Sequence, residues 1–301
     1  MTPHPTRSGY LYGLAALTSW GILPLYWKQL AAVPSLEVIG HRAAWSVIFL
    51  LAFCVTRGAT SELINVLRTP KKVAMLAVTG ALIASNWLVY VWGVTHGMLL
   101  ESSLGYFLCP LVTIALGAFF LKEHLSLTKK YAVALASTGV LLKTLSASTV
   151  PWLGLYLAFS MSFYGFARKR LEVGSLVGLT VETLLLAPVA LTYLIYLSSQ
   201  GESHFLSEGL SITVLLILTG VCTSLPLIWF VLAGQRLPLS TLGILQYLSP
   251  TLQFILAVLV FDEPVTTGAL VSFSLLWVAI ALYLQGNRTK TPAPPVKRVY
   301  P

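Results

Sequence analysis

Long apolar runs dominate the pattern of this chain, and polar residues gather in short segments between them. A helix that spans a bilayer needs about 20 mostly apolar residues, and ten runs approach that length. We therefore predict ten transmembrane helices, at 9–28, 36–56, 73–95, 102–121, 127–144, 150–167, 175–197, 210–234, 238–261 and 265–284. The fifth of these is the weakest prediction, because the side chains of Lys130 and Lys143 must reach the membrane–water interfaces if the helix is to span.

Two of these runs share one plan. The first reads ESSLGYFLCPLVTIALGAFFLKE from Glu101 to Glu123, and the second reads STLGILQYLSPTLQFILAVLVFDE from Ser240 to Glu263. Each has a central proline and a glutamate thirteen residues beyond it. Other landmarks recur at the same offset of 140 or 141 residues: Gly13 and Gly154, Lys28 and Lys169, Gly80 and Gly220. The pattern indicates a tandem duplication.

The duplication predicts an all-α membrane protein whose ten helices form two inverted five-helix repeats. Each repeat contains an odd number of spans, so the second copy enters the membrane from the opposite side. We place the first repeat at 1–145, the second at 146–286, and a polar, basic, Pro-rich tail at 287–301, which we expect to be disordered and cytoplasmic. Inverted repeats are typical of secondary transporters, where they support alternating access to a midplane site.

Composition supports a membrane location: 56% of the residues are hydrophobic and 10% are charged, against about 25% charged in soluble domains. The net charge of +9 lies in short clusters between apolar runs, so it indicates membrane topology and not nucleic-acid binding. Most basic residues fall on one side if the N-terminus is cytoplasmic. We therefore expect both termini inside, and we interpret the first span as retained and not as a cleaved signal.

Chemical motifs are few. The three cysteines, Cys54, Cys109 and Cys222, lie singly within apolar runs, and the five histidines have no metal-ligand spacing. The sequence contains no G-x-S-x-G, no H-E-x-x-H and no P-loop. We predict no enzyme activity, no cofactor and no metal.

Polar, aromatic and helix-breaking residues inside spans should face a protein-lined cavity, because they are costly against lipid. Aromatic rings with a few hydrogen-bonding groups suit a partly apolar organic solute. The candidate lining residues are Trp20, His41, Asn86, Tyr90, Tyr106, Pro110, Tyr164, Trp229, Gln246 and Pro250.

Two alternatives to this interpretation stay open. The prolines can introduce kinks that merely suit packing, and tryptophan and tyrosine also form interfacial belts. For Trp27, Trp152 and Tyr283, which lie near span ends, the belt interpretation is favoured.

Ionisable residues within the spans are His41, Arg42 and Glu182. His41 and Glu182 differ by 141 positions, so they are equivalent in the two halves. A carboxylate in a low-dielectric setting can bind and release a proton during a transport cycle, which makes Glu182 a proton-coupling candidate. The alternative is a structural ion pair or hydrogen bond with Arg42 or His41.

The motifs as a set resemble the RarD type of the EamA-like drug/metabolite transporter superfamily, over about residues 9–286. The resembling segments are SWGILPLYWK from Ser19, HRAAWS from His41, SNW from Ser85, ESSLGYFLCPL from Glu101, FYGFARK from Phe163, VETLLLAPVA from Val181 and LSTLGILQYLSPT from Leu239. The resemblance implies ten helices in a bacterial cytoplasmic (inner) membrane and secondary transport of small metabolites or drugs. Cys109 departs from the family, which has asparagine there.

Two functions are consistent with these observations. The leading hypothesis is a secondary transporter whose partners are a small-molecule solute and the lipid bilayer, working by exchange or proton coupling. The alternative is a non-transporting membrane binding or sensor protein on the same fold. A homodimer stays open, and no nucleic-acid partner is expected.

Overall fold

The computed structural model describes residues 6–122, 152–265 and 267–288, with 127, 130, 131, 133–135, 137 and 138. These residues contain helices and no strand. The helices are α1 (Arg7–Ile22), α2 (Pro24–Gln29), α3 (Ser35–Thr56), α4 (Thr60–Leu67), α5 (Pro70–Thr95), α6 (Leu99–Phe120), α7 (Trp152–Arg170), α8 (Ser175–Ser199), α9 (Gly209–Arg236), α10 (Leu239–Leu245), α11 (Leu248–Leu259) and α12 (Thr267–Arg288).

Six segments among the described residues are long and apolar enough to cross a membrane: α3, α5, α6, α8, α9 and the joined segment Leu239–Leu259. Large apolar side chains such as Val55, Val189 and Leu259 are about 70% exposed, as expected for a surface that faces lipid. The predicted all-α membrane class is therefore confirmed.

Apart from 127–144, each predicted span coincides in the structure with one helix or with two consecutive helices separated by a short break. The first span is broken at Leu23, and Pro24 begins α2, a position where proline's missing N–H costs nothing. Of the predicted fifth span, the structure describes only residues 127, 130, 131, 133–135, 137 and 138, which are helical; the rest of it lies outside the described residues. Between α3 and α5 the chain forms the short α4, which the sequence did not predict and which buries Leu63 and Val66.

The predicted ninth span is also two helices, α10 and α11, joined at Gln246 and Tyr247. Pro250 has no N–H to donate to the carbonyl of Gln246 one turn earlier, so regular helix is interrupted there. By contrast, α6 continues through Pro110 as one helix. The two equivalent prolines therefore have different local effects.

The most extensive helix contacts join the first half of the chain to the second. Helix α3 packs against α8 and α9, α1 against α9 and α11, α5 against α7 and α8, and α6 against α7, α10 and α11. The core therefore lies between the halves and not within either one.

Glycines permit the closest of these helix crossings. A Cβ built on Gly105 of α6 would lie 2.2 Å from the Cα of Gly154 in α7, and one built on Gly220 of α9 would lie 2.6 Å from the backbone carbon of Trp45 in α3. Small residues let helix backbones meet in membranes, where packing drives association. At these two crossings the helix backbones are in direct contact, so neither leaves room for a cavity.

Candidate functional site

A cavity of about 60 Å³ lies among α1, α2, α3, α5, α6, α7 and α11, with residues from both halves in its wall. That volume holds about four to six water molecules. The lining residues are Leu17, Trp20, Leu23, Trp27, Arg42, Asn86, Trp87, Tyr90, Tyr106, Cys109, Met161, Gln246, Ser249, Pro250 and Gln253.

Both helix breaks border this cavity. Leu23 separates α1 from α2, and Gln246 lies between α10 and α11. Where a helix is interrupted, backbone and side-chain polar groups leave the regular hydrogen-bond pattern, and in membranes this is tolerated where the segment lines a cavity. The prolines at 24 and 250 thus determine where the wall is irregular.

Aromatic rings form much of the wall. The ring centroids of Tyr90 and Tyr106 are 5.4 Å apart in an edge-to-face arrangement, and the ring of Trp20 packs on Phe230 at 5.1 Å. The guanidinium carbon of Arg42 lies 3.0 Å from the ring centroid of Trp87, a cation–π contact. The wall therefore presents flat apolar surfaces and one cation.

Asn86 is fully buried, and its side chain is hydrogen-bonded on both sides. Its Nδ2 donates to the carbonyl of Leu157 at 3.0 Å and to Oγ of Ser160 at 2.9 Å. Its Oδ1 accepts from the hydroxyl of Tyr106 at 3.0 Å. Asn86 therefore connects α5 to α7 and fixes the orientation of Tyr106 at the cavity wall.

Five other buried polar atoms of lining residues have no hydrogen-bond partner among the described residues: Trp27 Nε1, Arg42 Nε, Tyr90 Oη, Gln246 Oε1 and Gln253 Oε1. Buried polar groups are nearly always hydrogen-bonded. These three donors and two acceptors can therefore bind water or a polar solute in the cavity.

The predicted lining residues fall into two groups. Six of them are in the wall: Trp20, Asn86, Tyr90, Tyr106, Gln246 and Pro250. The other four lie elsewhere: His41 against Phe205, Pro110 where α6 meets Gly243 of α10, Tyr164 beside Glu182, and Trp229 against the main hydrophobic core.

Glu182 is buried outside this cavity with three partners. Its carboxylate lies 3.5 Å from Nε of Arg168 and accepts from Oγ1 of Thr79 at 2.6 Å and from the hydroxyl of Tyr164 at 3.3 Å. The suggested partners Arg42 and His41 were wrong. Arg168 reaches inward because Gly178 leaves room for its guanidinium: a Cβ at that glycine would lie 2.0 Å from Nη1.

His41 has a different carboxylate neighbour on its own helix. Its Nε2 lies 3.8 Å from Oε1 of Glu37. The carboxylate of Glu37 is fully buried, lies 2.7 Å from Nδ1 of His204 and accepts the backbone N–H of His204. His41 therefore belongs to a cluster at the start of α3. It is not joined to Glu182.

Sequence reasoning missed several lining residues. Trp27 was assigned to an interfacial belt, but it is 1% exposed and faces the cavity; the break before Pro24 turns it inward. In the sequence Gln246, Pro250 and Gln253 follow one another at helical spacing of four and three residues, a signal that could have identified Gln253. Arg42 is a charge within a span, which by itself favours a functional site.

No cluster of His, Cys, Asp and Glu suited to a metal ion occurs in the part of the chain that the structure describes. The cavity thus offers hydrogen-bonding groups, aromatic surfaces and one guanidinium. Such a set suits a partly apolar solute with a polar group.

Comparison with known proteins gives consistent relatives. Residues 7–145 match the model of the EamA-like transporter family. The chain is 42% identical to Protein RarD of Salmonella typhi over 94% of this chain and 97% of that protein. It is 38% identical to the uncharacterized transporter YojE of Bacillus subtilis, over 92% and 94% of the two chains.

A further relative is the chloramphenicol-sensitive protein RarD of Pseudomonas aeruginosa, which is 32% identical over 91% of this chain and 92% of that protein. One solved crystal structure superposes with a TM-score of 0.68 at 20% identity, and covers 95% of this chain and 99% of that chain. At that identity the match establishes a shared fold alone.

Proposed function

Because the chain belongs to the EamA-like transporter family, and within it to the RarD type, we propose that this multi-pass protein of the bacterial inner membrane is a secondary transporter of small organic solutes. The solute passes through the cavity between the two halves. The observation that carries this proposal is the set of five buried, unpartnered polar atoms that residues of both halves present there. A transport site needs binding groups that are free between cycles, and a filled structural core does not.

The proposal includes ten spans arranged as two inverted repeats, with both termini in the cytoplasm. Under the offset of 140 or 141 residues, α1 corresponds to α7, α3 to α8, α5 to α9, and α6 to α10 and α11. The contact of α1 with α9 then corresponds to that of α7 with α5, and the contact of α3 with α9 to that of α8 with α5. The repeated contact pattern supports a pseudo-two-fold relation between the halves; in the proposal the repeats are 1–145 and 146–286, and the odd number of spans in each makes them inverted.

The small cavity supports alternating access. The cavity of about 60 Å³ is small for an organic solute, so in this proposal the halves separate on one side to admit it. Equivalent contacts in two inverted halves provide two openings of similar energy, one to each side of the membrane. Exchange with a second solute or coupling to protons then sets the direction of transport. Glu182 is the proposed proton-coupling residue.

Native cysteines allow a test that needs no known solute. Cys109 lines the cavity, whereas Cys54 is buried away from it and lies 3.3 Å from Oγ1 of Thr180. We compare a protein that retains only Cys109 with one that retains only Cys54, in membrane vesicles of each orientation. A small, charged, membrane-impermeant thiosulfonate should modify Cys109 from both faces, because each face opens in turn.

The Cys54-only protein is the matched control and should stay unmodified. Modification of Cys109 from one face only, or from neither, would contradict alternating access and would favour the alternative, a non-transporting membrane binding or sensor protein. Mass spectrometry of the intact protein measures the modified fraction directly.

A further inference from the structure

Arg42 is a buried basic residue. It lies on α3, one of the apolar spans, and its side chain is 3% exposed. A buried charge without a counter-charge is costly, so charges inside spans are usually paired or functional. The contacts of Arg42 therefore indicate what it is for.

No carboxylate among the described residues lies within 4 Å of Arg42. The two buried carboxylates of this region have other partners: Glu37 binds His204, and Glu182 binds Arg168, Thr79 and Tyr164. Arg42 and Glu182 both line a smaller cavity of about 20 Å³, without direct contact. Glu182 therefore offsets the charge of Arg42 only at a distance.

The guanidinium is nevertheless held in a defined position. Its central carbon lies 3.0 Å from the centroid of the Trp87 ring. Its Nε is buried without a hydrogen-bond partner in the described part of the chain. A guanidinium edge binds a carboxylate through two parallel N–H bonds, so the available geometry suits an oxyanion.

The rest of the cavity wall is neutral. Its described lining residues include no aspartate and no glutamate, and Arg42 is its one arginine. Tyr90 and Trp27 can donate hydrogen bonds, and the amide oxygens of Gln246 and Gln253 can accept them. A single negative charge would neutralise the site, whereas a dianion would leave an unpaired charge in a low-dielectric space.

We infer that the transported solute is a small organic monocarboxylate, whose carboxylate binds Arg42 while its apolar part packs against the aromatic wall. This inference depends on the proposed transport function for the site's purpose. Binding itself can be measured without transport, so the two can fail separately.

The test uses the full-length purified protein and pairs of probes that differ only in charge. Benzoate, phenylacetate and butyrate carry the carboxylate, and benzamide, phenylacetamide and butyramide are their neutral counterparts. A ligand that binds only the folded state raises the melting temperature. At least one carboxylate should raise it by roughly 2–4 °C at a concentration several times its dissociation constant, and its amide should not.

The variant Arg42→Gln should lose that shift, and Arg42→Lys, which keeps the charge without the planar fork, should keep part of it. The melting temperature of Arg42→Gln without ligand should equal or exceed that of the unchanged protein, since an unpaired buried charge is removed. A fall of several degrees would reveal a structural counter-charge instead.

Three results would overturn the inference: no shift with any of the three carboxylates, an equal shift with the matched amide, or an undiminished shift in Arg42→Gln. If the Cys109 protein is still modified from both membrane faces, the transport proposal survives such a result, and only the solute class is wrong.

Discussion

Two buried arginines of this protein have opposite surroundings. Arg168 of α7 lies 3.5 Å from the carboxylate of Glu182 and is 1% exposed, whereas Arg42 of α3 contacts a tryptophan ring and no carboxylate among the described residues. A buried ion pair contributes little net stability, but removal of one partner leaves an uncompensated charge. The role of each residue therefore depends on its partner more than on its type.

Replacement of Glu182 by Gln should strongly destabilise the protein. Arg168 then stays buried without a counter-charge, a loss of about 3–5 kcal/mol. The double variant Glu182→Gln with Arg168→Met removes the stranded charge and should recover much of that loss. Melting temperatures of the three proteins in detergent measure the effect, and a double variant no more stable than Glu182→Gln would contradict the ion-pair interpretation.

The same variants test the proposed proton coupling. If protonation of Glu182 drives the change of access, a pH gradient should alter the face from which Cys109 is modified, and Glu182→Gln should abolish that dependence. The double variant Glu182→Gln with Arg168→Met also lacks the carboxyl but should be more stable. Comparison with it therefore separates loss of the pH response from loss of stability. An unchanged response to the gradient in folded Glu182→Gln protein would remove the proton role.

At the scale of helices, side chains from one half stabilise helix ends in the other. Glu263, after α11, accepts the backbone N–H groups of Leu99 and Leu100 at 3.1 and 2.8 Å, which are the first residues of α6. These N–H groups have no partner within the helix. The recurring glutamate of the repeated plan is thus a helix cap supplied across the two halves; its counterpart Glu123 lies outside the described residues.

Loss of this cap should destabilise α6. Replacement of Glu263 by Ala removes both acceptors and should cost about 1 kcal/mol, whereas replacement by Gln keeps one side-chain oxygen acceptor and should cost less. Melting temperature and protease susceptibility near residue 99 measure the loss. Equal stability of the two variants would contradict the capping role.

The contribution of Glu263 to the free energy of unfolding depends on pH with a defined sign. Burial raises the pKa of the Glu263 carboxyl, and the N–H groups of Leu100 and Leu99 oppose this in part. Because the pKa of this carboxyl is higher in the folded state than in the unfolded state, the native protein binds the proton more tightly. The group's contribution to the free energy of unfolding is therefore fully present below the unfolded-state pKa. It is lost as pH rises through the folded-state pKa. The free energy of unfolding of the Glu263→Gln variant should lack this dependence on pH.

At the scale of the whole molecule, inverted repeats place equivalent loops on opposite sides of the membrane. Ser61 lies on α4 after the second span, and Gln200 follows α8, the equivalent span of the second half. Both are exposed. The helix contacts between the halves do not show which side of the membrane each loop faces, so labelling of the loops provides an independent observation.

Single cysteines at the two positions should therefore react from opposite faces. In a protein whose native cysteines are replaced, Ser61→Cys should be modified from the cytoplasmic side and Gln200→Cys from the other, with an impermeant maleimide on intact cells and on inverted vesicles. Modification of both from the same face would exclude an inverted arrangement. Glu202→Cys, in the same loop as Gln200, serves as a second reporter.

The sequence accounts well for the positions of helices and poorly for contacts between them. Apolar runs of bilayer length directly reflect the cost of unpaired backbone in lipid, so the six segments that are long and apolar enough to span, among the described residues, could each be predicted separately. Trp27 was misassigned because the same residue type serves in belts and in cavities. Glu182 was given the wrong partner because Arg168, in a basic cluster, looked cytoplasmic.

The sequence by itself determined that the protein is helical and lies in a membrane, and it predicted two related halves, since each property depends on local composition and spacing. Only the tertiary structure decided that Trp27, Arg42 and Gln253 meet in one cavity, and that Arg42 has no carboxylate partner in the described part of the chain while Arg168 has one. Which side chains meet depends on how α1, α3, α7 and α11 cross. Those crossings depend on single glycines and prolines, whose effect no local pattern reveals.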